Sequence, residues 1–297
     1  MFGCPTRTGK PWTKTEMWEV VAQGPHCSAL SPKAIAYFKA EATEKVRTKQ
    51  ARLVRWEDIK DNPPKELKIS PIAAIPHKSK DFRSILDLSF PLCLKNGGVL
   101  ASVNNTTEKM APAGAIDQIG KCLSQIIHAF AETDKDAKIF MAKWDIKDGF
   151  WRMDCATGEE WNFAYVLPQE DGMPTTLVVP TSLQMGWVKS PPYFCTTTET
   201  SQDVATEYAE TKLNSLTLHK FEKFVLGAPE YQALLEAGIN PIGFAYMVEV
   251  YVDDFMSLVI PVSREQLRHI ANKSCMAYMT SSRQTRRIPT TQSLRRN

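Results

Sequence analysis

Two adjacent carboxylates lie inside a segment whose other residues favour a β-strand. In residues 248–260, Asp253 and Asp254 interrupt a run of β-branched and aromatic side chains. Because two neighbouring anions repel each other, a fixed pair is favourable mainly where a divalent cation lies against it. Asp is also a common turn residue, so the pair could simply close a hairpin. The segment predicts a hairpin, and residues 251–254 are where a function should be sought.

The composition is that of a globular protein, with 43% hydrophobic and 23% charged residues in a chain of 297. No uncharged apolar run is long enough to cross a bilayer, and the first 14 residues do not resemble a secretory signal. We therefore expect no membrane partner. The seven Cys are dispersed without a Cys-x-x-Cys pair, which indicates reduced thiols in an intracellular location, the cytoplasm or the nucleus.

The net charge of +3 conceals an uneven distribution. Seven basic residues and no acid follow Glu265, so residues 1–265 carry a net charge of −4. Within that acidic body, residues 33–83 hold 13 Lys or Arg against 7 Asp or Glu. A local excess of positive charge is what contacts with nucleic-acid phosphates require. A solvated helix face would give the same pattern, so the run alone leaves both interpretations open.

Apolar periodicity predicts a mixed α+β fold. Ser31 as the N-cap and Pro32 in the first turn predict a helix over residues 31–50. Two strands, 69–76 and 82–88, are expected on either side of a short basic tip at 77–81. The other predicted elements are a helix at 116–130, a strand at 138–146, a hairpin from 162–167 and 176–183, helices at 190–213 and 229–237, and strands flanking Asp253 and Asp254.

A third carboxylate lies near the end of another predicted strand. Asp145 is close to the C-terminal end of the strand at 138–146. Strand ends lie side by side in a sheet, so Asp145 can come within metal-bridging reach of Asp253 although 108 residues separate them. Carboxylate oxygens are ligands that suit Mg²⁺.

Three segments, in this order, resemble the palm motifs of reverse transcriptases. They are KWDIKDGF at 143–150, LQMGWVKSP at 183–191 and YVDD at 251–254. Upstream, Lys78, Lys80 and FRSILDL at 82–88 resemble the fingers segment that grips the triphosphate in retroviral and LTR-retrotransposon enzymes. The resemblance covers residues 76–255 and implies an RNA-directed DNA polymerase domain of a retroelement.

The resemblance also implies a polymerase architecture, in which a palm sheet packs on helices beside a fingers subdomain. We expect an N-terminal extension over 1–30, fingers over 31–115, a palm over 116–262, and a basic, disordered tail over 263–297. The hairpin at 162–183 could instead belong to the fingers. Only 43 residues follow Asp254, so we expect the chain to be truncated after the YVDD motif, without a thumb.

The acidic residues that match the family motifs would bind metal. By resemblance, Asp145 and Asp253 would bridge two Mg²⁺ ions, or Mn²⁺, about 4 Å apart, and Asp254 would be a supporting acid. Asp148, three residues after Asp145 in the first motif, is expected to form a local cap or packing contact rather than to bind metal.

The remaining matched residues would bind the nucleotide. Lys78 or Lys80, with Arg83, would pair with the β- and γ-phosphates of an incoming dNTP. Phe150 would crowd the sugar 2′ position, although a Phe in such a segment could equally be ordinary core packing. Gly186 would let the backbone approach the nascent base pair. Met185 stands where retroviral enzymes commonly carry Gln, so a side-chain hydrogen bond to the sugar is not expected there.

Two functional classes follow from these observations. One is a catalytic polymerase domain that extends a primer on an RNA or DNA template. The other is an inactive retroelement remnant that at most binds nucleic acid. A viral RNA-dependent RNA polymerase is disfavoured, because those enzymes usually have Gly before the paired acids, where this chain has Val252.

Overall fold

The computed structural model describes residues 3–108, 114, 116, 119–133, 135, 139–146, 148–211, 246–251 and 254–259. These residues belong to two compact units, one from Met1–Ala111 with Asp148–Pro191 and one from Pro112–Lys147 with Pro192–Ile288. Helices and antiparallel strand pairs occur in both units, so the predicted α+β class is confirmed. Among the described helices, none combines the length and apolarity that crossing a membrane would require.

The regular elements follow the chain in mixed order. The helices are α1 (Lys14–Gln23), α2 (Pro32–Arg47), α3 (Trp56–Ile59), α4 (Val103–Thr106), α5 (Ile119–Glu132) and α6 (Ser190–Thr211). The strands are β1 (Ala51–Arg55), β2 (Ile72–Pro76), β3 (Phe82–Leu86), β4 (Leu92–Cys93), β5 (Val99–Leu100), β6 (Phe140–Asp145), β7 (Tyr165–Val166), β8 (Thr176–Pro180), β9 (Tyr246–Tyr251) and β10 (Asp254–Val259).

The sheets are small. The first unit contains a sheet of order β1-β8-β7 and the two hairpins β2-β3 and β4-β5, while the second contains a sheet of order β6-β10-β9. Both hairpins predicted in the first unit, β2-β3 and β7-β8, are present. The predicted helix at 229–237 and the predicted tail at 263–297 lie outside the described residues.

Helix α2 begins where the sequence predicts and ends earlier. The Ser31 hydroxyl accepts a hydrogen bond from the Ala34 amide, and Pro32 is the first helical residue. The helix ends at Arg47 rather than at residue 50, because Lys49 adopts a φ of +60° and β1 begins at Ala51.

The segment predicted as an N-terminal extension contributes to the core of the first unit. Thr13 and Glu16 form a capping box at the start of α1. The apolar face of α1 packs in one cluster with residues from the middle of the unit: Met17, Val20, Val21, Trp56, Leu67, Ile69, Leu92, Ala164, Val166, Leu177 and Val179. The Thr-x-x-Glu pattern could have predicted this helix.

In the second unit, α5 covers part of the β6-β10-β9 sheet. Cys122 and Ile126 of α5 pack on Leu258, with Met256 beside them. Side chains alternate along a strand, so Asp254 shares the face of Met256 and Leu258. Asp254 is the first residue of β10, whereas the helix covers the same face farther along the strand.

Candidate functional site

Asp145 and Asp254 occupy facing positions on neighbouring strands. Asp145 is the last residue of β6, Asp254 is the first of β10, and the antiparallel register pairs them directly. Directly opposed residues place their side chains on one face of a sheet, with Cβ atoms about 4.5–5.5 Å apart. Two carboxylates that are 109 residues apart in sequence therefore meet at one end of this sheet.

The third acid of the predicted set, Asp253, lies outside the described residues. Tyr251 ends β9 and pairs with Asp254 across the hairpin. In the described ranges, no group of three or more His, Cys, Asp or Glu side chains is arranged to hold a metal ion. Of the three acids predicted to bind metal, the structure therefore describes two, Asp145 and Asp254.

Lys143, which is not among the predicted site residues, forms an ion pair with one of these two acids. The Lys143 Nζ is 2.6 Å from the Asp254 Oδ2. Lys143 is two residues before Asp145 on β6, so strand alternation places both side chains on the same face. The alternation is visible in the sequence, but the diagonal contact with Asp254 depends on the strand register. The ion pair occupies one oxygen of the Asp254 carboxylate, so Lys143 would compete with any cation that binds there.

The basic tip at 77–81 joins β2 to β3 in the first unit, as predicted. Lys78 and Lys80 are exposed on this tip, and Arg83 is exposed on β3. The Arg83 Nη2 donates a hydrogen bond to the Met185 Sδ at 2.9 Å. The fold thus brings together two predicted site residues, Arg83 and Met185, that are 102 residues apart.

Much of the basic charge in residues 33–83 is paired with acids. The cations with an acidic partner are Lys33, Lys39, Lys45, Arg47, Arg52, Arg55 and Lys60. These pairs reduce the positive field that the segment offers to an external phosphate. Part of the run is thus a solvated helix face, and the tip of the hairpin presents the exposed cations Lys78 and Lys80; contact with nucleic-acid phosphates stays a prediction.

The loop that carries Met185 and Gly186 is held by a side chain on α4. The Asn104 amide donates from Nδ2 to the Gly186 carbonyl at 2.8 Å and accepts at Oδ1 from the Val188 amide at 2.9 Å. Gly186 has a φ of +95°, and an added Cβ would meet the Leu86 carbonyl at 3.5 Å, an ordinary contact. The backbone angle therefore requires glycine here. No local signal identifies this role of Asn104, because the two loop groups that it contacts are more than 80 residues away.

Phe150 begins a short 3₁₀ helix, Phe150–Arg152, and its side chain is half-buried. The preceding turn contains Asp148, which has a φ of +57°. The Lys45 Nζ lies 3.6 Å from the Asp148 Oδ2 and 4.2 Å from the centre of the Trp151 ring. Helix α2 thereby contacts both sides of the turn that presents Phe150.

The predicted site residues fall into two sets. Asp145 and Asp254 belong to the second unit, whereas Lys78, Lys80, Arg83, Phe150, Met185 and Gly186 belong to the first. Comparison of the chain with protein-family models and with curated proteins finds no match.

Proposed function

We propose that this chain is the RNA-directed DNA polymerase domain of a retroelement, which extends a primer on an RNA or DNA template with dNTPs. The facing positions of Asp145 and Asp254 carry the proposal. The resemblance assigns both acids to one metal site, so the proposal requires them to lie close together although they are far apart in sequence. In this proposal the β6-β10-β9 sheet belongs to a palm and the β2-β3 hairpin belongs to fingers.

Asp145, Asp253 and Asp254 would hold two Mg²⁺ ions, or Mn²⁺. The paired acids fit this task, because carboxylate oxygens are preferred ligands of hard cations and the register presents two of them on one face. Asp253 is the covalent neighbour of Asp254. The bound ions would lower the pKa of the primer 3′-hydroxyl and neutralise charge on the triphosphate and pyrophosphate.

Arg83 would bind the triphosphate together with Lys78 or Lys80. A guanidinium group matches phosphate oxygens through two parallel hydrogen bonds. The Met185 thioether, which accepts a hydrogen bond from Arg83, is neutral and a weak acceptor, so the contact orients Arg83 without neutralising it. The positive charge of Arg83 therefore stays available for an anionic ligand.

Phe150 would select deoxyribonucleotides by occupying the space that a 2′-hydroxyl needs. The Lys45 contacts with Asp148 and Trp151 hold the backbone on both sides of Phe150. The Asn104 hydrogen bonds fix the loop on which Gly186 and Met185 lie. Neighbouring side chains thus hold the elements that would contact the sugar and the base pair.

An inactive remnant that at most binds nucleic acid is the second candidate function. The Lys143–Asp254 ion pair favours it, because Lys143 already gives the Asp254 carboxylate a cationic partner within the chain. The two functions differ in whether a divalent cation binds Asp254 despite the neighbouring Lys143.

Primer extension on an RNA template with dNTPs and Mg²⁺ tests the proposal. Wild type is compared with Asp253→Asn and with Asp171→Asn, a control at an exposed turn between β7 and β8. We expect wild type and the control to extend the primer, and Asp253→Asn to lose about 10³-fold or more of the rate. Extension that survives Asp253→Asn would refute the assigned metal role, and no extension by any variant would favour the remnant.

A further inference from the structure

Helix α2 contacts strand β3 on both sides of Arg83. The Tyr37 ring packs edge-on against Phe82, with ring centres 5.8 Å apart. The Ser84 hydroxyl donates a hydrogen bond to the Glu41 Oε1 at 3.0 Å. Phe82 and Ser84 are the neighbours of Arg83, and side chains alternate along a strand, so α2 holds one face of β3 while Arg83 extends from the other.

The contacts of α2 with β3 form a connected set. Tyr37 and Glu41 are four residues apart and so lie on the same face of α2. Tyr37 contacts Phe82 through its ring, and Glu41 accepts the hydrogen bond from Ser84. The ring contact and the hydrogen bond are two residues apart on β3, so together they restrict the orientation of β3 relative to α2.

Charged groups from several elements face Glu41. Burial raises the pKa of the Glu41 carboxyl, the Ser84 hydrogen bond and the charges of Lys45 and Lys80 lower it, and Asp148 raises it. Tyr37 and Tyr165 also interact with it electrostatically. Glu41 is thus half-buried, and it lies within electrostatic range of Lys80 on the tip of the hairpin.

We propose that Glu41 is a positioning residue, which holds β3 through Ser84 and thereby orients Arg83 for the triphosphate. That Glu41 holds β3 does not depend on the proposed polymerase function. That Arg83 is thereby oriented for a triphosphate rests on the proposed function. Displacement of a binding group by about 1 Å can cost about 100-fold in rate, so a modest loosening of β3 has a measurable effect.

The test compares variants that remove or keep the hydrogen bond from Ser84. Glu41→Ala and Ser84→Ala remove it, while Glu41→Gln keeps an amide oxygen as the acceptor. Glu44→Ala is the matched control, because Glu44 lies on the same helix and pairs with Arg47 at the surface. Two quantities are measured, amide hydrogen exchange of residues 82–86 and the KM for dNTP in primer extension.

We expect Glu41→Ala and Ser84→Ala to speed exchange in β3 and to raise the KM about 10-fold with little change in kcat. Glu41→Gln should restore both quantities, Glu44→Ala should change neither, and the double variant should be no worse than either single one. Unchanged exchange in Glu41→Ala, or no rescue by Glu41→Gln, overturns the inference.

The two proposals fail separately in this experiment. If wild type does not extend a primer, the polymerase function fails, and the exchange measurement still decides whether Glu41 holds β3. If wild type extends the primer and Glu41→Ala loosens β3 without raising the KM, the role of Glu41 in orienting Arg83 is overturned while the polymerase function stands.

Discussion

The β2-β3 hairpin of the first unit and the β9-β10 hairpin of the second both carry charged candidate residues, but they are held in different ways. Side chains of α2, Tyr37 and Glu41, contact β3 on either side of Arg83. Asp254 meets Asp145 through the backbone register of β10 with β6. Side-chain substitutions should therefore disturb the orientation of Arg83, whereas the acids should keep their places until the strand pairing itself fails.

Among the variants that test this comparison, the largest effect is expected from Arg83→Ala, which removes the charged group of the first hairpin and leaves its strands paired. Hydrogen bonds to charged groups contribute about 1.5–3 kcal/mol, so the KM for dNTP should rise about 10- to 100-fold. Steady-state primer extension at varied dNTP measures this change. Arg55→Ala, which breaks a surface pair with Asp58, is the control. An unchanged KM would remove Arg83 from the triphosphate site.

Phe150→Ala examines the turn that Lys45 holds through Asp148 and Trp151. Loss of the ring opens space for a 2′-hydroxyl, and discrimination against ribonucleotides should fall about 10-fold or more. The measurement is the ratio of kcat/KM for dNTP and rNTP, with Phe90→Ala, at an exposed position, as the control. Unaltered sugar selectivity would show that Phe150 is only a packing residue.

Lys143→Met changes the charge beside the acids of the second unit without altering their register. Removal of a competing cation should lower the Mg²⁺ concentration for half-maximal extension by about 2- to 5-fold, in keeping with a partly exposed ion pair. Lys10→Met, at an exposed position, is the control. A higher Mg²⁺ requirement in Lys143→Met would contradict competition between Lys143 and the metal.

The smallest effect is expected from Glu199 on α6. Burial, followed by the charge of Asp203, raises the pKa of Glu199 from 4.5 to about 7, and Lys121 opposes the shift. An acid with a raised pKa in the folded state binds its proton more tightly there, so stability falls as the pH rises from about 4.5 to about 7.

Glu199→Gln should therefore flatten the pH dependence of the urea midpoint between pH 5 and pH 8. The change should stay below about 1 kcal/mol, because the side chain is only half-buried and solvent screens its charge. If the stability of wild type instead rose with pH more steeply than that of Glu199→Gln, the raised pKa of Glu199 would be contradicted.

Local sequence patterns predicted many of the helices and strands. The errors include a strand whose stability depends on pairing with a strand far away in the sequence. The start of α2 follows from Ser31 and Pro32, because capping involves residues within one turn. Strand β1 was missed, since its stability depends on pairing with β8, in which Arg52 faces Val179. Helix α1 was missed although its capping box is visible in the sequence.

The sequence alone determined which residues carry charge and where several strands, helices and ordered motifs occur, because periodicity and capping depend on neighbours along the chain. The tertiary structure decided that Asp254 faces Asp145 and contacts Lys143. It also decided that Glu41 accepts a hydrogen bond from Ser84. These contacts join residues 43 to 111 positions apart, and strand register and packing, which no local pattern encodes, bring them together.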